Sequence, residues 1–161
     1  MKTYNFSPPD EDVFRLWQAV FALVHVDGDF SDQEKFYVER IVDIFAFTDD
    51  QKAEVHKTLK KKMGAVVLFK RIEEQDNIRQ FFVMARTIIW CDGIYHELEA
   101  TAIEHIVQDL GDDAQSYEHE LRWINRKPIL AEGSTPEVLE KDLIQIVTEQ
   151  MSAFYKEKTN E

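Results

Sequence analysis

The chain has 161 residues, of which 44% are hydrophobic and 31% are charged, and its formal net charge is -12 at pH 7. This balance is typical of a soluble globular protein with a buried core and excludes a wholly disordered chain. The acidic charge argues against a nucleic-acid-binding protein, because the phosphate backbone requires a basic face, and the single cysteine excludes a disulfide framework and a cysteine-based zinc site.

The first predicted helix extends from about Asp10 to Val26, where apolar residues recur at the spacing of one helix face. Two prolines, Pro8 and Pro9, precede it, which suits a helix start. We expect Gly28 to end this helix, because glycine readily adopts the positive φ of the residue that follows a helix.

Two capping boxes predict the starts of the second and third helices. Ser31 and Glu34 form the first capping box, at the beginning of the second helix. Thr48 and Gln51 form the second, before a helix that extends to about Lys60.

The middle of the chain contains glycine breaks between apolar helices. Gly64 interrupts the helical pattern, and residues 65–72 form a short apolar segment that we predict to be helical. A long helix follows from about Asp76 to Cys91, and a further helix is ended by Gly111. The residues of the long helix that are expected to face the core are Ile78, Phe81, Phe82, Ala85, Ile88 and Ile89.

Two helices complete the chain. A short helix around residues 117–124 is followed by a loop at residues 128–133. The last helix, about 135–155, has Pro136 at its first helical position, and we expect the tail beyond Tyr155 to fray. Strand-like alternation persists nowhere for more than a few residues, so the sequence predicts an all-α bundle of about seven to eight helices in a single domain over residues 1–161.

An internal repeat relates two segments of the chain. Each segment has an Asp-Gly pair just after an apolar helix and a glutamate at a fixed distance beyond it. The aligned residues are Asp27 and Asp92, Gly28 and Gly93, Phe30 and Tyr95, and Glu34 and Glu99. The alignment needs no gap and continues into the following helix, and it predicts two related units at about residues 13–47 and 78–112.

Two explanations of the repeated turn are open. Helix ends alone account for Gly28, Ser31 and Glu34, since a capping box stabilises a helix by about 1 kcal/mol. They do not account for Asp27 and Asp92, because each lies at a helix C-terminus, where the helix dipole disfavours a negative charge by about 0.3–1 kcal/mol. Either hydrogen bonds to the N–H groups of the turn or a bound cation would explain these two aspartates.

The paired Asp-Gly turns, each between an apolar helix and an amphipathic one, resemble those of the tellurite-resistance TerB-like family. The resemblance covers about residues 14–110. It implies an all-α domain with internal pseudo-two-fold symmetry, an acidic surface that binds divalent metal, and a role in stress-response assemblies without catalysis. Carried over by position, the acidic residues of the family are Asp27, Glu34, Asp92 and Glu99. The second copy departs from the first at His96, which stands where the first copy has a serine.

Four carboxylates in this pattern suit a hard divalent cation such as calcium, magnesium or manganese, whose preferred ligands are oxygen atoms. If the two turns face each other, their like charges raise one another's pKa and favour a bound cation. The predicted function is therefore that of a non-catalytic, metal-binding stress-response protein with no organic cofactor. The alternative is a metal-free interaction module whose acidic face docks a basic or membrane-associated protein. A metal-dependent hydrolase ranks third, because no base or nucleophile is recognisable.

Other candidate groups have structural explanations. The three tryptophans, Trp17, Trp90 and Trp123, lie on helical stripes and are expected in or near the core. His25 is expected to be a partly buried, hydrogen-bonded histidine, and Cys91 a buried, inert thiol.

The basic cluster comprises Lys57, Lys60, Lys61, Lys62, Lys70 and Arg71. It is most simply a solvated helix face, and an electrostatic docking patch is the alternative. The N-terminus lacks the apolar region of a secretory signal, and the longest apolar run is far shorter than the roughly 20 residues that span a bilayer. We therefore expect a cytoplasmic protein without direct membrane insertion and without a nucleic-acid partner.

Overall fold

The computed structural model describes residues 6–25, 32–90, 97–126 and 136–159, without the side chains of residues 32–34, 136–144 and 157–159. The described residues form eight α-helices and one 3-10 helix, and no strand occurs among them. The helices are α1 (Glu11–Val24), α2 (Asp32–Ile44), α3 (Asp49–Lys60), α4 (Ala65–Phe69), α5 (Gln75–Ile89), α6 (Glu97–Leu110), the 3-10 helix (Gly111–Tyr117), α7 (Glu118–Ile124) and α8 (Pro136–Thr159). The prediction of an all-α bundle of about seven to eight helices is confirmed, and the internal repeat stays a prediction.

The helix starts follow the capping chemistry of the sequence. The Asp10 side chain accepts a hydrogen bond from the N–H of Val13 at 2.9 Å, which caps α1. At α3 the predicted capping box is confirmed, because Thr48 Oγ1 accepts from the Gln51 N–H and the Gln51 side chain accepts from the Thr48 N–H. Gly28, Ser31 and the loop at 128–133 lie outside the described residues.

Helix α3 ends at Lys60, as predicted; Lys62, with φ of 55°, makes the left-handed turn after it, and Gly64, with φ of -71°, caps the start of α4. Two other helix ends differ from the predicted ones. Helix α4 ends at Phe69, before the predicted limit of residue 72. Helix α8 continues past Tyr155 to Thr159. Gly111 ends α6 with φ of 57°, as predicted, but the chain continues as a 3-10 helix that the apolar spacing did not indicate.

The chain divides into two compact units, an N-terminal unit (Met1–Ile78) and a C-terminal unit (Arg79–Glu161). The core of the N-terminal unit contains an aromatic cluster in which the rings of Trp17 and Phe45 have centroids 4.8 Å apart and those of Trp17 and Phe21 are 5.7 Å apart. All three side chains are fully buried. In this unit α1 packs against α4 and α3.

The C-terminal unit has its own core. Phe81 and Phe82 of α5 are buried, and the Phe82 ring lies 5.8 Å from the ring of Tyr117, the last residue of the 3-10 helix. Helix α8 contributes Met151, which is fully buried, and the neighbouring Gln150 amide donates a hydrogen bond to Thr87 Oγ1 of α5 at 2.8 Å.

A carboxylate from α1 binds the residues at the start of α5 within the N-terminal unit. Asp12 Oδ1 accepts from the Glu73 N–H at 2.8 Å, and Asp12 Oδ2 accepts from the Glu74 N–H at 3.1 Å and from the Asn77 amide at 2.6 Å. Asn77 is fully buried. These charge-assisted hydrogen bonds therefore connect α1 to the two residues that precede α5 and to a side chain of its first turn.

Asp12→Asn is expected to lower the free energy of unfolding by about 1–3 kcal/mol, because N–H groups that now bond a charged acceptor would bond a neutral amide. Urea unfolding followed by circular dichroism measures the change. Glu39→Gln is the matched control, since Glu39 is exposed on α2 and its loss should change the stability by less than about 0.5 kcal/mol. Equal effects of the two substitutions would contradict the assigned role of Asp12.

The same carboxylate should make stability depend on pH in the acid range. Burial raises the pKa of Asp12, but the hydrogen bonds from the Glu73 N–H, the Asn77 amide and the Glu74 N–H, together with Arg15, outweigh burial and hold it below its ordinary value of 3.8. The stabilisation is therefore complete above pH 3.8 and is lost as the pH falls through the lower, folded-state pKa. The stability difference between wild type and Asp12→Asn should shrink over that range, and a difference that is independent of pH would contradict this account.

Candidate functional site

The structure describes the four predicted metal ligands only in part. Asp27 and Asp92 lie outside the described residues. Glu34 is the third residue of α2, where the backbone is described and the side chain is not. Glu99 is the third residue of α6, and its side chain is half-buried. The two glutamates thus occupy equivalent positions in the first turns of their helices.

The helix ends around the two turns coincide with the sequence repeat. The shift along the chain that takes Asp27 to Asp92 also takes the end of α1, Val24, to the end of α5, Ile89. The same shift takes the start of α2 to the start of α6. The two connections are therefore equal in length, as two copies of one helix–turn–helix element would require.

The pattern of burial in α1 and α5 follows the same shift. At six related positions both copies are buried: Val13 and Ile78, Leu16 and Phe81, Trp17 and Phe82, Ala19 and Met84, Val20 and Ala85, and Leu23 and Ile88. In both helices the equivalent face is therefore buried in the protein interior, although the side chains differ in size. Each acidic turn follows a helix whose orientation is fixed by this buried stripe.

His25 lies at the C-terminal end of α1, directly before the first turn. It is half-buried, as predicted, and its backbone N–H donates to the carbonyl oxygens of Ala22 and Leu23. The other predicted groups near the turns, Cys91 and His96, lie outside the described residues. Within the described ranges no group of three or more His, Cys, Asp or Glu side chains is arranged to hold a metal ion.

Acidic residues are concentrated in one segment of the C-terminal unit, residues 97–120, which contains no lysine or arginine. Its acidic residues are Glu97, Glu99, Glu104, Asp109, Asp112, Asp113, Glu118 and Glu120, and all except the half-buried Glu99 and Glu120 are exposed. The predicted ligand Glu99 is thus part of a larger acidic surface, which we call the acidic segment.

The basic cluster of the N-terminal unit is solvated, as predicted. Its four lysines at 57–62 lie on the last turn of α3 and just beyond it, and Lys70 and Arg71 follow α4. All six side chains are exposed.

Trp123 corrects one prediction from the sequence. Trp17 is fully buried and Trp90 half-buried, as expected, but Trp123 is 40% exposed. The guanidinium carbons of Arg126 and Arg86 lie 4.8 and 6.0 Å from the centre of the Trp123 ring. The core-facing stripe of this helix consists of residues 117, 121 and 124, and position 123 lies off that stripe, which is the signal that the prediction missed.

Two side chains, one from the last turn of α5 and one just beyond it, bind carbonyl groups at the end of α7 and just after it. The indole N–H of Trp90 donates to the Ile124 carbonyl at 3.2 Å, and Arg86 Nε donates to the Arg126 carbonyl at 2.9 Å. The last carbonyls of a helix have no partner within it, and a cation near them is favourable. These two bonds therefore fix the end of α7, and with it the position of Trp123.

Trp90→Phe should lower the free energy of unfolding by about 0.5–1.5 kcal/mol, because the Ile124 carbonyl loses its donor. Trp123→Phe is the matched control: the indole is exposed and the same substitution should change the stability by less than about 0.5 kcal/mol. Thermal and urea unfolding of the two variants measure the difference. A larger loss in Trp123→Phe than in Trp90→Phe would contradict the capping role.

Comparison with known proteins gives no relative: no protein-family model, no curated protein and no solved structure matches the chain. A search of the described helices for one long and apolar enough to cross a membrane finds none.

Proposed function

We propose that this chain is a non-catalytic binding protein that holds a divalent cation at its repeated acidic turns, with Asp27, Glu34, Asp92 and Glu99 as ligands. The supporting observation is that the helix ends coincide with the sequence repeat. The two connections are equal in length, each contains an Asp-Gly pair at the same position of the sequence, and each is followed by a helix with a glutamate in its first turn. Resemblance of the turns to those of the TerB-like family supports a stress-response role in the cytoplasm.

The chemistry of the turns is consistent with a hard cation. An aspartate just beyond a helix C-terminus is unfavourable by about 0.3–1 kcal/mol, and a divalent ion bound there would more than offset that cost. The glutamate in the first turn of the following helix is favourably placed by the helix dipole, so it is available without strain. Oxygen ligands of this type suit calcium, magnesium or manganese.

Isothermal titration calorimetry with manganese and with calcium tests the proposal. We expect the wild-type chain to bind metal and an Asp27→Asn, Asp92→Asn double variant to bind it at least tenfold more weakly. The melting temperature of the wild type should rise with metal, because a ligand that prefers the folded state stabilises it by about 2.7 kcal/mol at one hundred times its Kd. The number of ions bound per chain distinguishes one shared site from one site per turn.

The matched control is Asp112→Asn, Asp113→Asn, which removes the same charge from exposed positions of the acidic segment. It should bind metal as the wild type does. Equal weakening in both double variants would indicate diffuse attraction to acidic charge, and an unchanged wild-type melting temperature in metal would contradict the metal-binding proposal.

The acidic segment supports the second candidate function, a metal-free interaction module. Its six exposed carboxylates, without an intervening lysine or arginine, suit a basic protein, including one held at a membrane. Under this alternative, binding of a basic partner is unaffected by Asp27→Asn, Asp92→Asn and is weakened by Asp112→Asn, Asp113→Asn, so the same two variants separate the two candidates.

A further inference from the structure

Arg86, Trp123 and Arg126 form a basic-aromatic patch on the C-terminal unit. Two guanidinium groups lie within 6.0 Å of the centre of one exposed indole ring. The end of the patch is held in place by the hydrogen bond from Arg86 Nε to the Arg126 carbonyl. Tryptophan and arginine are the residues most enriched at the energetic centres of protein interfaces.

The two arginines of this patch have no acidic partner among the residues that the structure describes. Although the chain has 31 acidic residues, neither Arg86 nor Arg126 forms an ion pair with a carboxylate in the ranges that the structure describes. By contrast, Arg122 on the same helix is paired with Glu118 at 3.1 Å. The patch therefore offers two cationic groups and an apolar ring to a ligand that supplies carboxylates.

The same unit supplies the complementary surface. The acidic segment, residues 97–120, leads directly into the patch through α7, whose first turn contains Glu118 and Glu120 and whose far end is followed by Arg126. A surface that contains both signs side by side is self-complementary. In a two-fold dimer the same surface is used by both copies, so each patch can face the partner's acidic segment.

We infer that two copies of this chain associate through their C-terminal units, with the Arg86–Trp123–Arg126 patch of each copy against the acidic segment of the other. Charge complementarity selects this occupant: the patch needs carboxylates, and on the described part of the chain that segment has the largest set of exposed carboxylates uninterrupted by lysine or arginine. Burial of Trp123 would add apolar contact that a solvated ion pair alone does not provide.

Sedimentation velocity of the full chain from micromolar to millimolar concentration, with a chelator present, tests the inference. At an ionic strength of about 0.01 M, where screening acts over about 30 Å, the mass should rise with concentration from 19.0 kDa toward twice that value. At about 1 M salt, where screening acts over about 3 Å, it should return to the monomer mass.

Variants on both sides of the contact make the test specific. Arg126→Glu and Trp123→Ala on the patch, and Asp112→Lys with Asp113→Lys on the acidic segment, should each weaken self-association at least tenfold. Arg71→Glu is the matched control, because it makes the same charge change at an exposed position of the N-terminal unit and should associate as the wild type does. Circular dichroism verifies that each variant is folded.

A wild-type chain that stays at 19.0 kDa over the whole concentration range would overturn the inference, as would a folded Arg126→Glu variant that associates as strongly as the wild type. Protection of Trp123 from quenching by acrylamide, a neutral quencher that leaves the ionic strength unchanged, provides a second measurement. Quenching in the wild type should fall as the concentration rises, and quenching in Trp123→Phe should not change. The chelator keeps this result independent of metal binding, so the inference and the proposed function can be contradicted separately.

Discussion

In α1 and in α5 the same series of positions is buried, and these stripes contain several of the largest side chains of the two cores, including Trp17, Phe81 and Phe82. Each such side chain contributes about 1.5–3 kcal/mol when it is removed from water. The orientation of each helix is therefore fixed by its apolar face. The position at which each helix ends follows from that orientation, and so does the start of the acidic turn beyond it.

Two stretches of the chain each carry charge of mainly one sign. Acidic groups occupy residues 97–120 without a lysine or arginine, and six basic residues lie between positions 57 and 71 of the other unit. Like charges that lie close together repel one another and so raise the free energy of the folded chain. Salt weakens this repulsion only between charges that are more than about 8–10 Å apart. Surfaces of this kind are common where a cation or an oppositely charged partner neutralises them.

Much of the fold could be predicted from the sequence because local chemistry determines it. Thr48 and Gln51 cap α3 through contacts three residues apart, and Gly111 ends α6 through its own φ, so neither depends on distant parts of the chain. The apolar spacing of α5 was sufficient to identify its buried face. The prediction that Trp123 lies in or near the core was wrong, because position 123 lies off the 117, 121, 124 stripe and aromatic character alone does not bury a residue.

Other features could not be predicted because they depend on residues distant in the chain. Nothing local to Asp12 indicates that it binds the N–H groups of Glu73 and Glu74, and nothing local to Trp90 indicates the Ile124 carbonyl. For the candidate site, the sequence identifies which acids are repeated and the structure gives the places of Glu34 and Glu99 in their helices. The two arginines beside Trp123 could be recognised only from the contacts between α5 and the end of α7.

The contact between Asp12 and the residues before α5 has a consequence for the order of folding. A helix start that is held only by its own flanking residues can form wherever its first turn forms, but the amides of Glu73 and Glu74, just before α5, receive their acceptor from a residue near the opposite end of the unit's sequence. Closing the long loop between these residues lowers the entropy of the chain, and this free-energy cost arises before the bond can form. The beginning of α5 should therefore become ordered only when α1 has docked, so that the two helices gain their final lengths in a single cooperative step.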